Sequence, residues 1–366
     1  MAYSKTAACI LASVFFTFSL AFGQTDTVKV SIAADTLGAD MQEGGLSPEA
    51  LKQYNAGLAH FKQYRLDEAV DAFTMALQME PDFSKAYYSR AAAYMEAKRY
   101  VMATSDFDRY LLRTDSVKDA YFLRARAHHL SGNDDRAMQC YTEAIAKDSR
   151  PGDAALYRAE IHFRQGNFKE AEADYTRAVT ADPSNANAFH DRGSTYMNLE
   201  KLPAAINDYE RALQLDPRLA RAYANLGAAY RKSGDHPEAL AAFNTAVRLD
   251  PDNPLVLNGR GYVHFLLGNF EKAELDFRKS IDLDRKYAFA HNNLAGALIK
   301  QERYKEAIQS ASDAIALDAK YALAYLNRGI AREMIRDMTG ACSDWEKAAA
   351  MNVANANTYR SVSCKY

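Results

Sequence analysis

The chain has 366 residues, of which 48% are hydrophobic and 25% charged, with 45 Lys and Arg against 47 Asp and Glu for a net charge of −2. A balance this even leaves no basic surplus to neutralise phosphates, so a nucleic-acid partner is not expected. The length alone suggests two or three globular domains, yet no linker-like stretch interrupts the middle of the chain.

Residues 1–23 read as a signal peptide. Lys5 gives a positive start, Ala7 to Phe22 is largely apolar, and Ala21-Phe22-Gly23 places small residues at the −3 and −1 positions of a cleavage site. An uncleaved anchor is the alternative, but a spanning helix needs roughly 20 apolar residues, and this run is diluted by Ser13, Thr17 and Ser19. Cys9 precedes the apolar run, a poor position for lipid attachment. The protein is therefore expected to be exported, periplasmic or secreted after cleavage near Gly23, and to meet a membrane only through partners. Residues 24–49 are polar and acidic with Gly38, Gly44 and Gly45, a flexible lead-in. Within it Val28 to Ala33 alternates like a short strand, and one hypothesis seats it in the apolar groove of the first repeat.

From Ala50 to Asn355 the sequence repeats itself every 34 residues, in nine copies without an insertion. Small residues recur at Gly57, Ala91, Ala125, Ala159, Gly193, Gly227, Gly261, Ala295 and Gly329. Twelve residues beyond each stands an alanine, from Ala69 to Ala341, and four further a large ring: Phe73, Phe107, Tyr141, Tyr175, Tyr209, Phe243, Phe277 and Trp345, with Ala311 breaking the series. The small residue and the alanine belong to two helices that approach closely, and the ring fills the space between one pair and the next. Gly132, Gly166, Gly234 and Gly268 fall between the two helices of their copies, where a left-handed cap is needed. Asp182-Pro183, Asp216-Pro217, Asp250-Pro251 and Glu80-Pro81 end second helices, because the residue before proline avoids the α region.

In period and in this small–aromatic–small–proline pattern the chain resembles the tetratricopeptide repeat over about five-sixths of its length. The resemblance implies an all-α, right-handed superhelical α-solenoid of nine helix-turn-helix units, with residues 356–366 as a C-terminal capping helix. Departures are local. Tyr110 replaces a small residue, Asp115 and Ser149 replace proline, and Ala311 replaces the ring; those junctions are expected to be looser or differently bent.

Cys342 lies near the start of the ninth copy's second helix and Cys364 near the end of the cap, so an antiparallel turn near Asn352 brings them level. In an oxidising compartment they read as a disulfide, worth roughly 3 kcal/mol by the loop-entropy model; two unpaired thiols are the alternative. Cys140 reads as a small core residue.

No catalytic constellation emerges. His60, His128, His162 and His264 occupy one repeat position shared with Tyr94, Tyr196 and Tyr230, which marks packing, and the recurring Arg90, Arg124, Arg158, Arg192, Arg260 and Arg328 read as structural. With no phosphate loop, nucleophile motif or metal-ligand spacing, no enzyme activity, cofactor or metal is expected.

Binding then falls to the surface left on the first helices, which the resemblance identifies with a concave ligand groove. Its expected lining is Leu51, Tyr54, Leu58 and Phe61 in the first copy, Arg126, Glu160, Arg221 and Arg231 in the middle, and Asn258, Tyr262, Phe265, Phe289, Asn292, Ile299, Leu326 and Ile330 toward the end. Asn55, Asn225, Asn293 and Asn327 share one repeat position, and an amide that donates and accepts suits an extended peptide backbone. Amides that cap loops or face water are the alternative. The expected peptide-binding set is Asn225, Asn258, Tyr262, Asn292, Asn293, Asn327 and Arg221. Two functions remain open: a scaffold or adaptor holding one partner, and a holdase or assembly factor for exported chains.

Overall fold

The computed structural model of the protein describes residues 46–114 and 116–364. The expected signal peptide, the segment from Val28 to Ala33 and Asp115 lie outside the described residues, as do residues 365 and 366. The described residues form 19 α-helices and no strand, an all-α solenoid of helical repeats. None of these helices is long and apolar enough to cross a membrane.

Two compact units share the chain. The described part of the first contains α1 (Pro48–Lys62), α2 (Leu66–Met79), α3 (Ser84–Glu96), α4 (Tyr100–Leu111), α5 (Asp119–Leu130), α6 (Asp134–Ala146), α7 (Pro151–Arg164), α8 (Phe168–Ala181) and α9 (Ala186–Asn198). The second contains α10 (Leu202–Leu215), α11 (Ala220–Ser233), α12 (His236–Leu249), α13 (Pro254–Leu266), α14 (Phe270–Leu283), α15 (Ala288–Lys300), α16 (Tyr304–Leu317), α17 (Ala322–Met334), α18 (Met338–Ala350) and α19 (Ala354–Ser363). Each unit thus holds four helical hairpins, and α9 and α10 carry the two helices of the fifth copy.

Inside a hairpin the small residue and the ring meet as the spacing requires. A Cβ added at Gly57 would stand 2.6 Å from the Phe73 ring, and one at Gly261 would stand 2.8 Å from the Phe277 ring. The alanines Ala69, Ala103, Ala137, Ala171, Ala205, Ala239, Ala273, Ala307 and Ala341 are completely buried. No larger side chain fits there without pushing the helices apart.

The turn between the two helices of a hairpin recurs within each unit. Gly132 has φ +80°, its N–H donates to His129 O, and Asn133 N–H donates to His128 O, the pair of bonds that closes a helix on a left-handed residue. Tyr64, Lys98, Glu302 and Arg336 hold the same position with positive φ and no glycine. Five second helices end on an aspartate that leaves the helical region, at Asp182, Asp216 and Asp250 before proline but also at Asp284 and Asp318, which precede no proline. The Asp284 and Asp318 carboxylates accept from Lys286 N–H (2.9 Å) and Lys320 N–H (2.8 Å), an Asx turn that stops the helix unaided.

The irregular copies are repaired locally. Tyr110 is buried, and its hydroxyl accepts from Val117 N–H (2.9 Å) and meets Ser116 Oγ (3.0 Å), so the large side chain fixes the loop that follows. At the third junction Asp148 and Arg150 both take positive φ, and buried Ser149 donates to Lys118 O (2.6 Å) while accepting from Phe122 N–H. The backbone there passes through two left-handed residues, where the junction at Asp182-Pro183 uses an extended one.

Both ends shift slightly from the expected boundaries. Ser47 Oγ accepts from Ala50 N–H and Pro48 sits at the first helical position, so α1 starts inside the expected lead-in. The last helix begins at Ala354, ends at Ser363, and stacks Tyr359 on Trp345 with centroids 5.2 Å apart. Cys342 and Cys364 are joined, their Cα atoms 5.8 Å apart, and Cys140 is free and buried.

Candidate functional site

Most positions around a first helix are consumed by packing, and the arginines show how. Arg90 Nε and Nη2 grip both oxygens of Asp106 (2.7 and 2.8 Å), sixteen residues on in the same hairpin, while Nη1 reaches Thr74 (2.9 Å), sixteen residues back in the preceding one. Arg158 repeats this with Asp174 and Thr142, Arg260 with Asp276 and Asn244, and Arg328 with Asp344 and Ser312. The fork thus clamps three helices, with a buried carboxylate as its anchor. The arginine series alone was legible in the sequence; the Asp sixteen residues later and the hydroxyl or amide sixteen residues earlier were the signal that completes it.

The asparagines occupy a second packing position. The first helices α1 and α3, α11 and α13, α13 and α15, and α15 and α17 touch one another directly, and the residues between them are covered by the neighbour. Asn293 Nδ2 donates to Asn258 Oδ1 (3.0 Å), and Asn327 Nδ2 donates to Asn292 Oδ1 (2.9 Å). Asn258 in turn donates to the Tyr287 hydroxyl (3.4 Å), whereas one repeat later Asn292 Nδ2 and the Tyr321 hydroxyl make no hydrogen bond among the described residues. The expected exposed row of amides is therefore corrected: Asn225, Asn258, Asn292, Asn293 and Asn327 are all buried. In the first repeats the same register pairs Tyr54 OH with Ser89 Oγ (3.2 Å) and the ring of Phe122 with that of Tyr157. Tyr54, Ile299, Leu326 and Ile330, expected on the groove wall, are core for the same reason.

Arg126 is likewise buried, its guanidinium 3.9 Å over the Tyr157 ring. Beside it His129 meets Tyr141 OH through Nδ1 (3.3 Å) and Arg164 through Nε2 (3.2 Å). Burial, with Arg126 and Arg164 close by, holds the His129 imidazole down to about 4, so it is neutral at pH 7.

What stays accessible is a shorter set. In the first unit it comprises Leu51, Leu58, Phe61 and Glu160, joined by Phe163, which the sequence reading missed and which packs edge-on against Phe168. In the second it comprises Arg221, Arg231, Tyr262, Phe265 and Phe289. Arg231 lies 4.9 Å over the Tyr262 ring, and Phe289 leans on Tyr287 and Tyr321 while remaining more than a third exposed. These are flat, amphipathic or planar-cationic side chains, suited to gripping a peptide. His128, His162 and His264, all held low by burial, sit at the packing position expected for them. Among the described residues no group of three His, Cys, Asp or Glu side chains is placed to hold a metal ion.

Comparison with protein families matches the tetratricopeptide repeat over residues 54–116, 118–146, 135–186, 190–254, 229–290 and 292–358. The chain belongs to the tetratricopeptide-repeat family. The C-terminal part of a tetratricopeptide-repeat protein from Cytophaga hutchinsonii matches at 18% identity with a TM-score of 0.56, covering 66% of this chain and 99% of that one. A tetratricopeptide-repeat protein from Parabacteroides merdae matches at 19% and 0.54, covering 68% and 99%. Pseudomonas aeruginosa PilF matches at 21% and 0.51, covering 57% and 96%. At these identities the likeness is one of fold. A search of curated proteins finds no match.

Proposed function

We propose that this tetratricopeptide-repeat protein is an exported, non-enzymatic scaffold that holds a peptide or protein segment against its first helices. The observation that carries the reading is the residue set left after packing: the arginine clamps and the buried asparagines and rings between first helices join neighbouring repeats, while Tyr262, Phe265, Phe289, Arg221 and Arg231 remain accessible on first helices of one unit. The composition of the first 23 residues supports export, and the joined Cys342 and Cys364 suit an oxidising compartment, where the bond ties α19 to α18. Intact Met1 on N-terminal sequencing of the protein from its native source would contradict export.

Affinity capture from envelope extracts tests the function, comparing the wild type with a Tyr262→Ala/Phe289→Ala variant. One dominant partner, lost in the variant, is the expected result. Many weak partners together with suppression of client aggregation would favour a holdase, and a single partner retained by the variant would move binding off these helices. Changing Asn225, Asn293 and Asn327 to alanine is not a test of binding, since those amides are interior.

A further inference from the structure

The arginine clamp is absent from α15, and its partners change with it. Leu294 stands where Arg90, Arg158, Arg260 and Arg328 stand in their helices; Ser310 takes the place of the aspartate, and Arg278 that of the threonine, asparagine or serine. With the long side chain gone, a cavity of about 340 Å³ opens between α14, α15 and α16, at the small end of the roughly 300–1,000 Å³ typical of ligand sites. Leu226 and Ala242 make the same exchange in α11 and α12, but there Tyr230 reaches across to donate to Glu210 (2.6 Å). The counterpart of that tyrosine beside the cavity is Leu298, which is wholly buried.

The lining is polarised. Leu294 and Ile281 provide an apolar side. Arg278 is neutralised by Glu274 (2.8 Å) and Glu306 (3.2 Å), which Arg303 also binds, so these four charges cancel. Asp282 and Asp313 remain, the first with no ion pair among the described residues. Asp313 accepts from Gln309 (2.8 Å), and its other oxygen lies 4.0 Å from His291 Nδ1, whose Nε2–H donates to Arg285 O (3.2 Å). Ser310 is 8% exposed and lines the cavity, and its hydroxyl has no hydrogen-bond partner among the described residues.

We propose that this cavity is a socket for an arginine side chain presented by a partner protein. The stem lies along Leu294 and Ile281, and the guanidinium meets Ser310 Oγ and the carboxylates of Asp282 and Asp313, in the space that this chain's own arginine fills in the repeats that carry the clamp. The planar fork, not a point charge, is what that space is shaped to take. The socket is formed by α14, α15 and α16 alone and requires nothing of the accessible aromatics on the first helices.

The test is calorimetric titration of the full-length protein at low salt with acetyl-Gly-Arg-Gly amide and with its citrulline and lysine counterparts. Saturable binding of the arginine peptide is expected, about tenfold weaker in Asp282→Asn/Asp313→Asn and abolished in Leu294→Arg/Ser310→Asp, which fills the space with an internal arginine–aspartate pair. Thermal unfolding confirms that each variant is folded, and the two surface aspartates keep the test independent of the core change. No saturable binding, equal binding of the citrulline or lysine peptide, or binding unaltered in the aspartate variant would each overturn the proposal.

Discussion

The first repeats and the last repeats solve one packing problem with different chemistry. Where the first helices of neighbouring repeats meet, the early junctions use Tyr54 with Ser89 and the ring pair Phe122–Tyr157, and the late ones use Asn258–Asn293 and Asn292–Asn327. The position demands burial and a partner, and it accepts rings or amides provided both neighbours agree. Rings contribute through area and tolerate small losses; buried amides contribute little net and cost heavily when one partner is removed.

The largest effect is expected where a buried charge is orphaned. Arg260→Met leaves the Asp276 carboxylate uncompensated and should cost about 3–5 kcal/mol in urea denaturation; Arg260→Leu with Asp276→Ser, the pair found at Leu294 and Ser310, should recover most of it. At the amide junction Asn292→Ala strips Asn327 of a buried acceptor, for a loss of about 2–3 kcal/mol. The ring junction should be milder, with Tyr54→Phe losing about 1 kcal/mol as the contact to Ser89 disappears. If the two junctions responded alike, the distinction between ring and amide packing would fail.

A pH response is expected from the ring-packed region. The His129 pKa lies below its unfolded value, so the unfolded chain binds the proton first: stability from this group is intact above about pH 6.5 and falls as the pH drops toward about 4. His129→Phe, the residue type found at the equivalent Phe61, Phe163 and Phe265, should flatten the fall in Tm over that window. The smallest effect concerns the left-handed cap. Glu302→Gly, matching Gly268 one repeat earlier, should raise stability by about 0.5–1 kcal/mol.

The fold was legible because period and close approach both leave marks in the residues. The glycine and alanine series fix which helices touch, and Gly132 and its equivalents fix where each turn falls. The aspartates at Asp284 and Asp318 were passed over because proline drew attention as the helix stop, although the carboxylate ends the helix without it. Asn293 and Asn327 were misplaced for a geometric reason: periodicity locates a residue on a helix face but does not say how closely the next repeat covers that face. Polar residues at a recurring position then read as surface, when their partners one repeat and one residue away, Asn258 and Asn292, were already visible in the sequence.

The central claim is that asparagines join the repeats while accessible aromatics hold the ligand. The direct measurement is the affinity of a peptide selected from a random library against the full-length protein, compared between wild type and Tyr262→Ala/Phe289→Ala. The account predicts a loss of about tenfold or more with thermal unfolding nearly unchanged. Full affinity in that variant would contradict it.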